Sequence, residues 1–300
     1  MWPERDGISK MKNKFFAWLR SSYILVIIAL TYIPLIIVVI LSFTEPSSKG
    51  NLNLGFNFNG GANWLSLFKN SEFINAISNT AIIVALTVPI STIIATVTCF
   101  GIWNAKQVYS ASVIGASKFD MVVPDVITGI GLALLFSITI IPLSVNLGFA
   151  TVILSHISFC TPYAIVVIYP RMQKMNQNLI LASMDLGYSQ ITTFFKVTVP
   201  FLLPAILSGA AIVFSLSFDD FIITDLVGGS IDTVSTELYS MAKGIKMWAV
   251  TFGAIVVLLG LLITLIVGIK KYISKATKNK QMNIKRFGSK IDKKFRAKRV

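Results

Sequence analysis

The sequence predicts an all-α membrane protein with six transmembrane helices and cytoplasmic N and C termini. Three observations lead to this prediction: charged residues make up 13% of the 300-residue chain, hydrophobic residues make up 54%, and the formal net charge is +14. A soluble domain usually contains about 25% charged residues. The composition therefore fits an ordinary soluble enzyme poorly and excludes a disordered chain. A nucleic-acid-binding fold would need a water-facing basic surface, which so few charges do not supply.

The membrane-spanning helices are predicted from long apolar stretches. A spanning helix needs about 20 mostly apolar residues, because the hydrocarbon core is about 30 Å thick and an α-helix rises about 1.5 Å per residue. Six stretches meet this requirement, and the third and fourth are linked so closely that they predict a helical hairpin. The predicted spans are Tyr23–Phe43, Asn79–Trp103, Phe119–Ile141, Phe149–Tyr169, Phe201–Val227 and Trp248–Ile269.

The distribution of Lys and Arg predicts the orientation, because basic loops stay in the cytoplasm. The two tails and the links after spans two and four hold 23 basic residues, whereas the opposite side holds four. Ser42-Phe43-Thr44 lacks the small-x-small pattern of a cleaved signal peptide, so we expect an uncleaved first span. The predicted organisation is a cytoplasmic tail over 1–20, a six-helix domain over 21–269 with a cytoplasmic loop over 171–200, and a basic cytoplasmic tail over 270–300.

Residues that carry enzyme chemistry are scarce. The sequence has no phosphate-binding loop, no nucleophile elbow and no cluster of metal-ligating residues at the usual spacing. Cys99 and Cys160 lie inside predicted spans, where we interpret them as small buried hydrophobic residues. The single histidine, His156, is flanked by the hydroxyls of Ser155 and Ser158. We favour a packed, hydrogen-bonded histidine over a catalytic or gating one, and we predict neither a catalytic residue nor a metal site.

Carboxylates inside the predicted spans are the main functional signal, because a charge at the bilayer centre costs at least about 2.5–3.5 kcal/mol. Asp125 lies near the start of span three, and Asp219 and Asp220 lie deep in span five. Ser217, Asp220 and Thr224 form a polar stripe beside the one that carries Asp219. No Lys or Arg lies within the spans to neutralise these acids. We therefore predict that Asp125, Asp219 and Asp220 line a pathway that attracts a cation, with pairing between helices as the alternative.

The cytoplasmic link between spans four and five has the pattern of two short helices. Asn176 suits a helix N-cap, Gly187 suits the left-handed turn that ends that helix, and Ser189 suits the cap of a second helix. Pro200 stands near the start of span five, where a missing amide costs little. By this pattern alone, a surface helical hairpin and a docking site are equally favoured.

The spacing of small residues in this link resembles a known motif. Ala182 and Ser183 would let another surface approach closely, and Gly187 and Pro200 follow at the spacing of the EAA loop of ABC-importer permeases. That loop reads Glu-Ala-Ala, three residues, Gly, nine residues and Ile-x-Leu-Pro. The glutamate of the family corresponds to Leu181, so a salt bridge at that position is absent and coupling would depend on apolar packing.

Further motifs make the chain similar to the C-type permease subunit of spermidine/putrescine importers, which are MetI-like, binding-protein-dependent transport permeases. The resemblance covers roughly Tyr23 to Ile269 and leaves the basic tail outside it. The matching segments are Tyr32–Pro34, Val123–Gly129, Ser155–Tyr163, Asp185–Gly187, Phe214–Asp220 and Tyr239–Met241.

The resemblance implies a cell-membrane permease that pairs with a second permease subunit, engages two cytoplasmic ATPase subunits and receives substrate from an extracytoplasmic polyamine-binding protein. No cofactor is then expected in this chain, since ATP would bind to the ATPase subunits. Asp219 and Asp220 would steer the ammonium groups of a polyamine, and Asp125 would help their release. The residues implied to couple the chain to the ATPase are Ala182, Ser183, Asp185, Gly187 and Pro200.

Other functions stay open at this point. The same class of transporter could carry thiamine, ferric iron or an anion, although the membrane aspartates, which are Asp125, Asp219, Asp220 and Asp225, disfavour the anion. An intramembrane enzyme and a stand-alone channel are alternatives from other classes. The tail from Lys270 holds 13 of the 27 basic residues, and we expect it to contact the anionic inner leaflet, with RNA as the alternative. We also expect a short interfacial helix around Trp64–Phe68.

Overall fold

The computed structural model describes the backbone of residues 5–53, 55–139, 141–143, 146–241 and 244–296. These residues form twelve α-helices and two isolated antiparallel bridges, with no longer strand among them. A 3₁₀ turn covers Ile141–Leu143 and a π-helical turn covers Phe194–Thr198. The helices are α1 (Arg5–Leu41), α2 (Ala62–Leu67), α3 (Ser71–Trp103), α4 (Gln107–Asp120), α5 (Asp125–Thr139), α6 (Phe149–Met172), α7 (Gln177–Asp185), α8 (Gln190–Thr193), α9 (Val199–Asp219), α10 (Ile222–Val227), α11 (Val234–Ser240) and α12 (Met247–Arg296).

Five helices in the described part of the chain are long and apolar enough to cross a membrane, and a bent pair of helices raises the number to six. The all-α fold and the predicted number of spans are therefore confirmed when the bent pair counts as one span. The helix α12 starts one residue before the predicted sixth span, and its backbone stays helical through the basic segment to Arg296. The five single candidates are Ser22–Leu41, Ser71–Trp103, Phe149–Met172, Gln190–Asp219 and Met247–Lys275.

The predicted third span, Phe119–Ile141, is wrong as a straight helix. The helices α4 and α5 meet at an angle of 105°, and α5 begins only at Asp125. Pro124 explains the break, because it has no amide hydrogen and disfavours helical backbone at Val123. With 15 residues, α5 is about 22 Å long, shorter than the hydrocarbon core. The helix α5 packs against α10 more extensively than against α6. The predicted helical hairpin of spans three and four is therefore held by only a small contact between α5 and α6.

The outer end of the predicted fifth span, Phe201–Val227, is also wrong. The helix α9 ends at Asp219, and the backbone of Asp220 is extended, with φ −66° and ψ 126°. The chain then forms α10 as a separate short helix from Ile222 to Val227. Asp219 and Asp220 therefore lie at a helix break instead of inside a continuous helix.

The described helices divide into two compact units. One unit contains α1, α2 and α12. The expected short helix is present as α2, and its buried Asn63 donates two hydrogen bonds, to the carbonyl oxygens of Ser42 (2.9 Å) and Thr44 (2.8 Å). Trp64 stacks on Phe43 with ring centroids 5.5 Å apart. These contacts hold α2 against the chain that leaves α1.

The second unit contains α3 to α11, and its core lies where α3, α6 and α9 pack together. Cys99 and Cys160 are free thiols buried in this core, which confirms their interpretation as small buried residues. Small residues allow close approach of α6 and α9: a Cβ atom on Gly209 would lie 3.3 Å from Ile168 and 3.8 Å from the backbone of Ala164. Such small-residue contacts are typical of helix pairs in membranes, where burial from water contributes little.

We expect Gly209→Leu to destabilise the second unit, because the added side chain would push α6 and α9 apart. Overpacking of this kind costs about 1–3 kcal/mol. The apparent melting temperature of the detergent-solubilised protein should fall. Gly131→Leu is the control, because a Cβ atom on Gly131 meets no atom within 4 Å. Equal melting temperatures for the two variants would contradict this account of the helix contact.

Candidate substrate site and coupling loop

The Asp220 carboxylate is the centre of a buried polar network at the end of α9. Its side chain is 7% exposed. The Oδ1 atom accepts a hydrogen bond from the amide of Ile223 (3.2 Å), and Oδ2 accepts from both the amide (2.9 Å) and the hydroxyl (2.8 Å) of Thr224. Asp220 therefore satisfies the free amides at the start of α10 and fixes the break between the two helices.

His156 of α6 completes this network. Its Nδ1 atom lies 2.8 Å from the Ser217 hydroxyl, and Nε2 lies 3.0 Å from the Thr224 hydroxyl and 3.3 Å from Asp220 Oδ2. The Thr224 hydroxyl gives its hydrogen to Asp220, so it accepts one from Nε2–H. In the neutral ring Nδ1 then accepts from Ser217. The ring thus ties α6 to both sides of the helix break.

The interpretation of His156 as a packed, hydrogen-bonded residue between helices agrees with this geometry, but the partners differ from the adjacent hydroxyls. Ser155 donates to the carbonyl oxygen of Thr151 in its own helix. The true partners are Ser217 and Thr224, more than 60 residues away in the sequence. The sequence did contain a signal for this pairing. Ser217, Asp220 and Thr224 form the second polar stripe of span five, and a polar stripe in a spanning helix needs a polar partner such as His156.

The other two predicted pathway residues are exposed. Asp219 ends α9 and Asp125 begins α5, and both side chains are open to the surroundings. Within the described residues, no hydrogen bond or ion pair engages either carboxylate. Gly129, one turn after Asp125, faces Ile223 of α10, so the start of α5 lies against the segment that follows Asp220. The three predicted carboxylates therefore differ: Asp220 is buried and hydrogen-bonded, whereas Asp125 and Asp219 are accessible.

Asp120, the last residue of α4, is a further carboxylate near the site that was not predicted from the sequence. It is half-buried and lies across the 105° bend from Asp125. The sequence signal that could have identified Asp120 is its position within the predicted third span, five residues before Asp125.

The predicted coupling loop, residues 171–200, has the expected caps. Asn176 accepts a hydrogen bond from Asn178 at the start of α7, and Ser189 accepts one from Thr192 at the start of α8. Gly187 has φ +85°. The amide of Tyr188 reaches the carbonyl of Ser183 (3.2 Å), and the amide of Gly187 reaches that of Met184 (2.8 Å). This pair of bonds with Gly at the left-handed position is a Schellman motif, which ends α7 sharply.

The two small residues of the loop face different ways. Ala182 is exposed, whereas Ser183 is buried and its hydroxyl lies 2.9 Å from that of Thr193 in α8. Ser183 therefore joins the two short helices to each other, and its small size serves packing inside the loop. Asp185, the last residue of α7, is exposed.

A π-helical turn connects the loop to α9. The amide of Val199 donates to the carbonyl of Phe194, five residues earlier. Pro200, the second residue of α9, has no amide hydrogen, so the carbonyl of Lys196 would lack its usual helical partner. The wider π-helical turn allows the backbone to stay helical at Pro200, and Gln190–Asp219 forms one candidate span.

Comparison with known proteins identifies the family. The family described as binding-protein-dependent transport system inner membrane component matches residues 121–279, which include both candidate sites. The chain belongs to this family. It is similar to the Mycoplasma pneumoniae protein named spermidine/putrescine transport system permease protein PotC homolog, with 48% identity over 85% of this chain and 91% of the relative. The PotC permease of Escherichia coli K12 is 30% identical over 75% of this chain and 83% of the relative.

Solved structures support the same fold. A bacterial ABC transporter that imports the acidic polysaccharide alginate matches with a TM-score of 0.64 over 86% of this chain and 97% of the matched chain, at 11% identity. The same kind of transporter in complex with a periplasmic protein bound to an alginate pentasaccharide matches with a TM-score of 0.57 at 18% identity. The fold is that of an ABC-importer permease.

Membership of this family makes the chain a multi-pass inner-membrane transport subunit. The predicted family, fold class and membrane location are therefore confirmed. A transport permease is also favoured over the intramembrane enzyme and the stand-alone channel. The orientation of the termini, the domain bounds and the roles of the site residues stay predictions.

We expect the two adjacent aspartates to differ in their effect on stability. Asp220→Ala should lower the free energy of unfolding by at least about 2 kcal/mol, because it leaves the two amides at the start of α10 and the Thr224 hydroxyl without their acceptor. Asp219→Ala should change it little, because that side chain is exposed. Thermal unfolding in detergent measures both variants, and a larger effect from Asp219→Ala would refute the assignment of the buried network.

Proposed function

We propose that this chain is a permease subunit of an ATP-driven importer that moves polyamines such as spermidine and putrescine across the cell membrane. The accessible Asp219 carboxylate at the end of α9 is the observation that carries the substrate class. It lies at a helix end in the apolar part of the protein, and no described basic side chain pairs with it. The names of the PotC relatives support the same substrate.

The division between the two aspartates refines the mechanism. The Asp220 carboxylate is buried and contacts amide, hydroxyl and imidazole groups, so it is poorly accessible to a substrate. We therefore assign the attraction of ammonium groups to Asp219, and we assign to Asp220 the positioning of the helix break that presents Asp219. Asp125, exposed at the start of α5, is the second accessible carboxylate, and we propose that it assists release.

The coupling loop offers an apolar surface to a partner. Four large apolar side chains on it are more than half exposed, which is unusual for a segment predicted to lie in the cytoplasm. Ala182, Asp185 and Gly187 lie among them, and Ser183 and Pro200 hold the loop and its junction with α9 in shape. The exposed apolar residues are Leu181, Leu186, Ile191 and Phe195.

We propose that an ATPase subunit packs on this surface. Leu181 is 58% exposed at the position of the family's loop glutamate, so apolar contact would replace an ion pair there. ATP would bind to the ATPase dimer, and this chain would hold no cofactor. A second permease subunit would complete the pathway, and an extracytoplasmic binding protein would deliver the polyamine. Closure of the ATPases would move α9 through the loop and alternate the access of the pathway.

The substrate class is tested by Asp219→Asn. Loss of the charge should reduce uptake of radiolabelled spermidine and putrescine severalfold, while the amount of assembled complex stays unchanged, because Asp219 makes no described contact inside the protein. Asp232→Asn removes the same charge from an exposed loop residue and serves as the control. Wild-type rates in the Asp219 variant would contradict the steering role, and wild-type uptake of thiamine or ferric iron in place of polyamines would reject the substrate class.

The coupling role is tested at Gly187. Its φ of +85° strains any residue with a Cβ atom, and a β-branched residue most, by about 1–2 kcal/mol. A Cβ atom there meets no atom within 4 Å, so the strain lies only in the backbone. Gly187→Val should reduce transport per ATP hydrolysed. Gly187→Asn should retain it, because Asn tolerates the left-handed conformation. If both variants couple normally, the loop does not transmit the ATPase movement.

A further inference from the structure

The end of α9 carries a pair of aromatic rings beside the accessible carboxylate. Phe221 stacks on Tyr239 of α11, with ring centroids 4.1 Å apart and an interplanar angle of 23°. Phe221 is half-buried, whereas Tyr239 is 67% exposed. One face of Tyr239 is thus covered by Phe221, and the remainder of the ring is open.

Asp220 and its two neighbours in the chain differ in their surroundings. Asp220 lies in extended backbone and its carboxylate contacts His156 in the buried network. Asp219 is exposed, and the ring of Phe221 stacks on an exposed ring. Neither Asp219 nor Phe221 takes part in the described hydrogen bonds around the Asp220 carboxylate.

A second contact fixes α11 against the end of α9. The Ser235 hydroxyl donates to the carbonyl oxygen of Phe218 at 2.8 Å. Ser235 and Tyr239 are four residues apart in α11 and so lie on one face of that helix. Through these two residues, α11 contacts both Phe218 and Phe221, and Asp219 lies between them in the sequence. Asp219 therefore lies in a short stretch of chain that is held against α11 by a contact on each side of it.

We propose that Phe221 and Tyr239 form an aromatic platform that, together with Asp219, binds an alkylammonium group of the substrate. The Asp219 carboxylate would form an ion pair with the ammonium group. The open ring of Tyr239 would contact the same ammonium group and the methylene groups next to it. Aromatic faces attract cations by about 0.5–1 kcal/mol at exposed sites and by about 2 kcal/mol where water is excluded. A flexible chain that alternates amines and methylenes suits a site with one charge and one aromatic surface. This inference rests on the proposed polyamine substrate.

The test compares Tyr239→Leu with Tyr239→Phe in the assembled importer, reconstituted in vesicles with polyamine-loaded binding protein. Tyr239→Leu should lower the amount of polyamine imported per ATP hydrolysed by roughly threefold to thirtyfold, as expected from loss of the cation–ring attraction. Tyr239→Phe keeps the ring and should stay within about twofold of wild type. Tyr109→Leu is the matched control, because Tyr109 of α4 is 63% exposed and belongs to the same compact unit.

Each outcome discriminates. Unchanged import by Tyr239→Leu, or an equal loss in Tyr239→Phe, overturns the platform, because the ring would then not be the group that matters. Absence of polyamine import by the wild-type importer would reject the proposed function itself. Copurification of the other subunits and basal ATP hydrolysis check assembly. If the Tyr239→Leu variant does not assemble, Tyr239→Met replaces it, because the flexible Met side chain removes the ring and still fills the space. The amount of polyamine imported per ATP hydrolysed is then measured in the same way.

Discussion

The position of the Asp220 carboxylate is the constraint on which the described site depends. A buried carboxylate in a membrane protein needs hydrogen bonds or an opposite charge, because unpaired charge in a low-dielectric region is costly. Asp220 meets this requirement with two amides of α10, the hydroxyl of Thr224 and the ring of His156. Because two of these partners are free amides at a helix start, satisfying the carboxylate also ends α9 and starts α10. One buried acid thereby sets the backbone that exposes its neighbour.

The same arrangement separates two roles along a single helix. The coupling loop joins the first turn of α9 through the π-helical turn before Pro200, and Asp219 lies at the last turn. These ends are about 30 Å apart. The helix is continuous over this length, and Pro204 is the residue in its interior that cannot donate a backbone hydrogen bond. The helix α9 packs against α3 and, with close approach at Gly209, against α6, so we propose that the three helices move together in the cycle.

Exposed apolar surface has different meanings in different parts of the chain. On α1, α3 and α12 it is expected, because lipid surrounds a spanning helix. On the loop between α6 and α9 it is unusual, because the basic residues around it predict a cytoplasmic position. The Schellman motif and the Ser183–Thr193 contact keep that surface in a fixed shape. A fixed apolar surface in water is typical of a docking site.

Sequence alone could predict the family, the number of spans and the caps at Asn176, Gly187 and Ser189, because each depends on composition or on residues a few positions apart. Only the tertiary structure decided the break between Asp120 and Asp125, the end of α9 at Asp219 and the pairing of His156 with Asp220. Hydropathy reads Phe201–Val227 as one span because an apolar run scores alike whether its backbone is continuous or broken. The partner of a buried charge lies on another helix, and 64 residues separate His156 from Asp220, so only packing could show which acid is engaged and which is free.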